Sequence, residues 1–460
     1  MPTLNNFLEK YHINFAKLGG LFFIALASFL DLFFFDFLNF YIPLALLVVF
    51  VAYLFKDKLW ILLILTPPSL LLGNFLYFEI THNWIYEANL AEIFILVSAA
   101  VLLWEKIFNP GKIKLKTDKI LWALSAYLFL ALLSYFWILD FRLFVYGLKL
   151  IILFLLAYFA SLNYLKDFYR IKLFLYSLAF TALAISIQIF YKFFQLGLSL
   201  DFFLNRNEIL ISLGPIATSV AVLVMILPAL LGLYFWESGR AKPFILLIFL
   251  LGVLAVFMSL GKAAALSLFL ALVFLFYKFK SKRLVFSLFT FLFLLLAFIF
   301  FQSFWEGLLF RLSRVFVDVS SQFRFQELQT CLNIVKNHFL TGVGAGQQII
   351  YYSRYLFPGY EQLVNNFFLQ ALIDLGVLGL GLVLFIVVSI FRKARELGGK
   401  IGSSYRPLFW GMLASLIAVF LNGQVEVTLF ALPYGIIFWL FLGGFINLEK
   451  NKYENKYNYN

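Results

Sequence analysis

The sequence predicts an all-α polytopic membrane protein of about 12–14 transmembrane helices, on three observations. The first is composition. Of 460 residues 64% are hydrophobic and 13% charged, with mean hydropathy +0.96. A soluble domain is about half apolar and a quarter charged, so no core of this length hides the surplus and it must face lipid. The second is spacing, because apolar runs near the roughly 20 residues that cross a bilayer recur along the chain. The third is the placement of lysine and arginine, which concentrate in alternate connections.

The candidate spans cover 14–31, 37–55, 59–78, 88–104, 119–138, 143–164, 171–191, 209–235, 243–259, 263–278, 284–303, 367–391, 407–422 and 428–448. A barrel would show shorter alternating segments. Phe15 to Leu30 lacks a small-residue cleavage site and reads as a retained first helix. Pro67 and Pro68 should kink or interrupt the third span. The ninth and tenth spans are separated only by Ser259-Leu260-Gly261-Lys262, either a tight hairpin or a break in one long helix. Residues 1–448 thus form a single membrane domain, and the Asn-, Tyr- and Lys-rich tail 449–460 reads as disordered.

With both termini in the cytoplasm, alternating sides puts most of the 36 basic residues inside. The inner segments collect Lys56 and Lys58, the lysines from Lys106 to Lys119, Lys166 to Lys172, Arg240 and Lys242, Lys278 to Arg283, and Arg392 to Arg406. The first two outer loops carry Asp31, Asp36, Glu79 and Glu87 and neither Lys nor Arg. The net charge of +13 is therefore an orientation signal rather than a nucleic-acid footprint, which needs basic residues on one solvated face. A lone cysteine, Cys331, excludes an internal disulfide framework, and His12, His82 and His338 form no metal-spacing motif. No metal or cofactor is called for.

One segment departs from the pattern. Residues 304–366 form a long outer loop without a convincing span, and ordered loops of that length tend to carry function. Trp305 to Val317 is amphipathic, with Arg311 and Arg314. From Phe323 to Phe339, Phe325, Leu328, Leu332, Val335 and Phe339 recur at helical spacing. Gly342, Gly344 and Gly346 follow, where a helix would stop and turn.

Basic residues that break the sidedness rule are the candidates for chemistry. Arg142 and Lys149 share one helix face, Lys149 about two turns deeper, and Lys262 sits at the break between two spans. Arg311, Arg314, Arg324 and Arg354 belong to the loop. A cation inside a span is costly and marks function by default. Structural readings stand beside these: snorkelling for Lys149, an interface mark for Arg142, a helix cap for Lys262 and a solvated face for Arg311 and Arg314. Jointly the cluster suggests an anionic ligand at the outer surface, and diphosphate on a lipid carrier fits guanidinium geometry. Glu327, three residues after Arg324, reads as its ion-pair partner or as a general base. His338 is a second candidate base, and Asp374 reads as the partner of a loop arginine.

Two stretches resemble a known family. Phe323-Arg324-Phe325-Gln326, continuing through Lys336-Asn337-His338-Phe339-Leu340-Thr341-Gly342-Val343-Gly344-Ala345-Gly346, resembles the outer loop of the O-antigen ligase and O-antigen polymerase superfamily. Val364-Asn365-Asn366-Phe367-Phe368-Leu369-Gln370 and Asp374-Leu375-Gly376-Val377-Leu378-Gly379-Leu380 resemble its His-Asn-x-x-Leu-Gln segment and acidic-Leu-Gly continuation. Ser259-Leu260-Gly261-Lys262-Ala263 stands where many members have Ser-Arg-Gly, and the likeness covers about 245–385. It implies a bacterial inner-membrane glycosyltransferase, metal-independent and similar in fold to other lipid-carrier-dependent transferases. Its periplasmic donor would be a glycan on undecaprenyl diphosphate. A ligase passes that glycan to lipid A-core and a polymerase to a second carrier-linked unit. Asn365 replaces the family histidine and cannot take a proton near neutral pH, which leaves Glu327 and His338 as candidate bases. Arg142, Lys149, Lys262 and Arg324 are the first candidates for the diphosphate, with Arg311, Arg314 and Arg354 behind them. The alternative is a membrane transporter of an anion or a lipid-linked glycan, for which repeated halves with matching broken helices would be expected.

Overall fold

An apolar run in lipid has no water for its backbone, so it closes its hydrogen bonds within itself as a helix. The computed structural model describes residues 58–72, 89–108, 114–196, 209–259, 261–279, 319–355, 364–426 and 430–449. The expected spans 14–31, 37–55 and 284–303, the amphipathic stretch Trp305 to Val317 and the tail beyond Glu449 lie outside these residues. The described elements are α1 (Trp60–Leu70), α2 (Leu90–Phe108), α3 (Lys119–Leu133), α4 (Phe141–Tyr164) and α5 (Phe168–Gln195), then β1 (Leu210–Ile211) and β2 (Gly214–Pro215). There follow α6 (Ile216–Trp236), α7 (Lys242–Met258), α8 (Lys262–Lys278), α9 (Val319–His338), α10 (Gln348–Tyr355), α11 (Phe367–Lys400), α12 (Arg406–Asn422) and α13 (Tyr434–Ile446). Among the described residues six helices are long and apolar enough to cross a membrane, and the chain is an all-α polytopic membrane protein.

Caps set several boundaries that hydropathy placed differently. Asp140 and Asp167 accept hydrogen bonds from first-turn amides, so α4 and α5 begin two and three residues ahead of their apolar runs. The expected span 209–235 loses its first residues to the β1–β2 hairpin, in which Leu210 pairs Pro215 and Ile211 pairs Gly214. α1 carries Pro67 and Pro68 inside it and ends at Leu70. α7 and α8 are two helices, and Gly261 N donates to Ser259 Oγ at 3.3 Å between them.

Polar contacts gather the helix ends into two sets. At one end the Lys116 amide donates to Asn163 Oδ1 at 2.7 Å and its Nζ to Asn447 Oδ1 at 2.8 Å. Lys172 pairs with Glu237 at 2.7 Å, and Glu449 with Lys393 and with Lys400. Burial works against ionisation of Glu237, yet Lys172, Tyr176 and the Gly239 amide together hold its carboxyl down to about 2. The opposite end gathers Ser134, Asp140, residues 342–347, Asn366 and Gly423. This is the segregation that alternating spans require.

The centre of the bundle is the contact of α6 with α12. A Cβ on Gly232 would stand 2.7 Å from Gly411 Cα, and one on Gly411 2.6 Å from Gly232 Cα, so the two backbones touch where neither carries a side chain. Gly411→Val should cost about 1–3 kcal/mol by overpacking, read as a lower midpoint in thermal unfolding of the detergent-purified protein. An unchanged midpoint would show that the helices separate there at no cost.

Candidate functional site

The loop helix α9 turns inward a face other than its apolar stripe. Of the five apolar residues at helical spacing, Phe325, Leu328, Leu332 and Phe339 are exposed and Val335 packs against the small core beneath the helix. Glu327, Thr330, Cys331 and Ile334 are buried instead. Cys331 and Ile334 form a small core with Val343, Tyr352, Val364 and Ile373, and Cys331 Sγ contacts Tyr352 Oη at 2.8 Å. The inward face thus carries both an apolar core and polar partners.

The glycine turn after α9 fits into a break in α11. Leu375 and Gly376 leave helical geometry there, Gly376 with φ +64°. The break frees carbonyls and an amide that the turn takes up. Val343 N donates to Ile373 O at 2.8 Å, Gly344 N to Asp374 O at 2.9 Å, and Val377 N to Phe339 O at 2.9 Å. A Cβ on Gly342 would lie 2.4 Å from Asp374 O, and one on Gly376 2.2 Å from Leu340 O, so this approach excludes side chains on both strands of chain. The turn's other side meets α4, where Gln347 Oε1 accepts from the Leu139 and Asp140 amides at 3.0 and 2.9 Å. Gln347 Nε2 donates to Asp140 O at 2.8 Å, and Ala345 N to Ser134 Oγ at 3.1 Å. Gln347 escaped the reading of the sequence. Its only signal is the polar pair Gln347-Gln348 directly after Gly346.

This framework brings Arg324, Glu327 and Asn365 together. Asn365 donates to Glu327 Oε1 from its backbone amide at 3.0 Å and from Nδ2 at 2.9 Å. Arg324 Nη1 stands 3.4 Å from Glu327 Oε2, and its Nη2 3.5 Å from Glu426 Oε2. Asn366 caps α11 through the Phe368 and Leu369 amides and donates from Nδ2 to Gln424 O at 3.1 Å, fixing the adjoining residue. Glu327 is 4% exposed. Burial raises its carboxyl above the ordinary glutamate range, and the donors of Asn365 and Arg324 offset this only in part. A buried carboxyl held by three donors is suited to proton transfer. Below the turn, Asp374 Oδ1 and Gln348 Nε2 are buried without hydrogen-bond partners among the described residues and line one cleft with Tyr127, Tyr146 and Gln370.

The remaining candidates are placed differently. Lys149 does not snorkel and is not a free cation, because it pairs with the buried Glu92 at 3.0 Å and ties α4 to α2. Asp374 has no loop arginine against it among the described side chains; its carboxyl is met by Gln370. Arg142 is exposed in the first turn of α4, its amide capped by Asp140. Lys262 is exposed in the first turn of α8. The His338 ring stands edge-on to Tyr351 at 5.3 Å between centroids. Arg354 lies on α10 with its side chain outside the description, and Arg311 and Arg314 lie outside the described residues.

Lys149→Met should strand the Glu92 carboxylate and remove about 3 kcal/mol or more of stability, and adding Glu92→Gln should recover much of it. The measurement is the yield of monodisperse protein in detergent. A single variant as stable as the parent would return Lys149 to the ligand-binding candidates.

Residues 246–385 match the family model described as O-antigen ligase, a segment that includes α9, the glycine turn and the broken part of α11. No curated protein matches the chain. The likeness to the O-antigen ligase family thus lies in residues 246–385, the segment that holds Arg324, Asn365 and the glycine turn.

Proposed function

We propose that the chain transfers a glycan from undecaprenyl diphosphate to an acceptor hydroxyl at the periplasmic face of the inner membrane, with Glu327 as general base. The observation that carries this reading is the buried Glu327 carboxyl, gripped by Asn365 and Arg324 within the segment matched to the family.

In the proposed step the acceptor hydroxyl passes its proton to Glu327 while its oxygen attacks the anomeric carbon. The bond from that carbon to the diphosphate oxygen breaks, and the electron pair leaves on the diphosphate. Cations rather than a metal ion answer the developing charge, with Arg324 nearest the base and Arg142 and Lys262 as further contributors. Asn365 cannot accept the proton, so its part is to donate to Glu327 and aim the carboxyl. His338 is eleven residues further along α9, about 16 Å at the rise of a helix, too far to share one hydroxyl with Glu327. Lipid A-core or a second carrier-linked glycan would supply the acceptor, and transfer assays offering each distinguish a ligase from a polymerase.

Glu327→Gln should lower the transfer rate by about a hundred- to ten-thousand-fold with little change in donor binding. Near-parental transfer by this variant would remove Glu327 as the base. Because burial raises Glu327, the acid limb of the parental pH–rate profile should lie above the roughly 4.3 of an ordinary glutamate. Activity requires the ionised carboxylate and is lost as pH falls through that raised value. Asn365→Ala removes one of the donors that lower it, so its acid limb should move to still higher pH. A limb that stays in place would separate Asn365 from the base.

A further inference from the structure

The end of the bundle opposite the glycine turn holds two kinds of cation. Lys172 faces Glu237 at 2.7 Å, Arg170 faces Asp167 at 2.9 Å, and Lys393 and Lys400 share Glu449, so carboxylates meet their charge. Lys278 and Lys242 are seated on rings instead. Lys278 Nζ, in the last turn of α8, stands 4.4 Å from the centroid of Trp410 on α12 and 5.7 Å from that of Phe274, two rings that meet edge-to-face at 5.9 Å. Lys242 Nζ, in the first turn of α7, stands 5.0 Å from the centroid of Tyr234 on α6. Rings run on from there toward α8, Tyr234 against Phe235 at 5.1 Å and Phe235 against Phe279 at 4.9 Å, next to Lys278. Arg406 opens α12 one turn before Trp410, on the same helix face, and is exposed. Among the described residues no carboxylate pairs with Lys242, Lys278 or Arg406. A ring holds a cation through its quadrupole and leaves the positive charge uncompensated. Below Lys278, Leu266, Leu270, Val273 and Tyr277 recur at helical spacing on α8, and all four are exposed, an apolar lane that ends at the cation.

We infer that Lys278 and Arg406 flank a binding site for the phosphate of an acidic phospholipid, with Trp410 between them at the level of the headgroup and the lane on α8 receiving an acyl chain. Trp and Tyr lie at the headgroup level of membrane proteins, and lysine and arginine just beyond the apolar run draw acidic lipids to them. A zwitterionic lipid answers its phosphate with its own ammonium, so uncompensated cations select the acidic headgroup. A free anion would leave the apolar lane without a role. Lys242 extends the positive surface toward the start of α7. The bound headgroup ties the end of α8 to the start of α12, where Lys278 already rests on Trp410. The site stands at the other end of the bundle from Arg324, Glu327 and Asn365, and does not depend on the transfer reaction proposed for them.

The test uses the full chain purified in detergent, with phosphatidylglycerol as the probe and phosphatidylcholine as its zwitterionic counterpart, and bound lipid counted by native mass spectrometry. The parent should bind phosphatidylglycerol about tenfold more tightly than phosphatidylcholine. Lys278→Gln and Arg406→Gln should each weaken phosphatidylglycerol about fivefold and leave phosphatidylcholine unchanged, and the double variant should bind the two lipids alike. Lys400→Gln, which removes a lysine already paired with Glu449 at the same end, should keep the parental preference. Equal binding of the two lipids by the parent, a preference that survives in the double variant, or the same loss in Lys400→Gln overturns the inference. Displacement of phosphatidylglycerol by millimolar inorganic phosphate would make this a site for a free anion and overturns it too. Should Lys278→Gln lower the yield of folded protein, Arg406→Gln carries the comparison alone, because its side chain is exposed.

Discussion

The backbone pairing between the glycine turn and the broken span is the constraint on which the site rests. A break in a helix that lies within the bundle leaves amides and carbonyls with nothing to bond, and in an apolar setting each costs several kcal/mol. Here the break at Leu375 and Gly376 is closed from outside the helix, by Val343, Gly344 and Phe339. Helix and turn each supply what the other lacks. The consequence reaches Asn365, which precedes α11 and is carried into line with Glu327 on α9 by the same docking. Gln347 fastens the other side of the turn to the α3–α4 connection, so three parts of the chain far apart in sequence are held at one end of the bundle.

Cations in this protein do two kinds of work, and burial of the partner separates them. Lys149 faces a nearly inaccessible Glu92, and the pair is a strut between helices. Arg324 faces one buried and one partly exposed carboxylate, Glu327 on its own helix and Glu426 beyond the end of α12. At the far end Lys393 and Lys400 share Glu449, which they hold at about 2, so part of the positive charge there is spent on closing the bundle. Topology alone would have treated all of these as one class of basic residue.

Asn365 gains a chemical reading from its neighbours. Set beside the family histidine it looked like a loss, because an amide cannot accept the proton. In the folded chain both its N–H groups point at a single oxygen of Glu327. The proposed base therefore stands across a hydrogen bond from the position where the resemblance implies a histidine.

Hydropathy and charge determined the class of fold and the order of most helices, because lipid imposes an apolar length and the translocation bias imposes an alternation that a linear pattern records directly. The likeness over residues 246–385 was legible for the same reason, since Arg324, the glycine turn and the Asn365 segment are short and local. The starts of α4 and α5 were legible less well, because Asp140 and Asp167 cap through side chains that hydropathy counts only as polar. Three things were decided by tertiary structure alone. The inward face of α9 follows its partners rather than its apolar stripe. Lys149 is settled by Glu92 on another helix, and Arg324 by Glu426, about a hundred residues away. A sequence states which charges exist; only packing states which of them have already met.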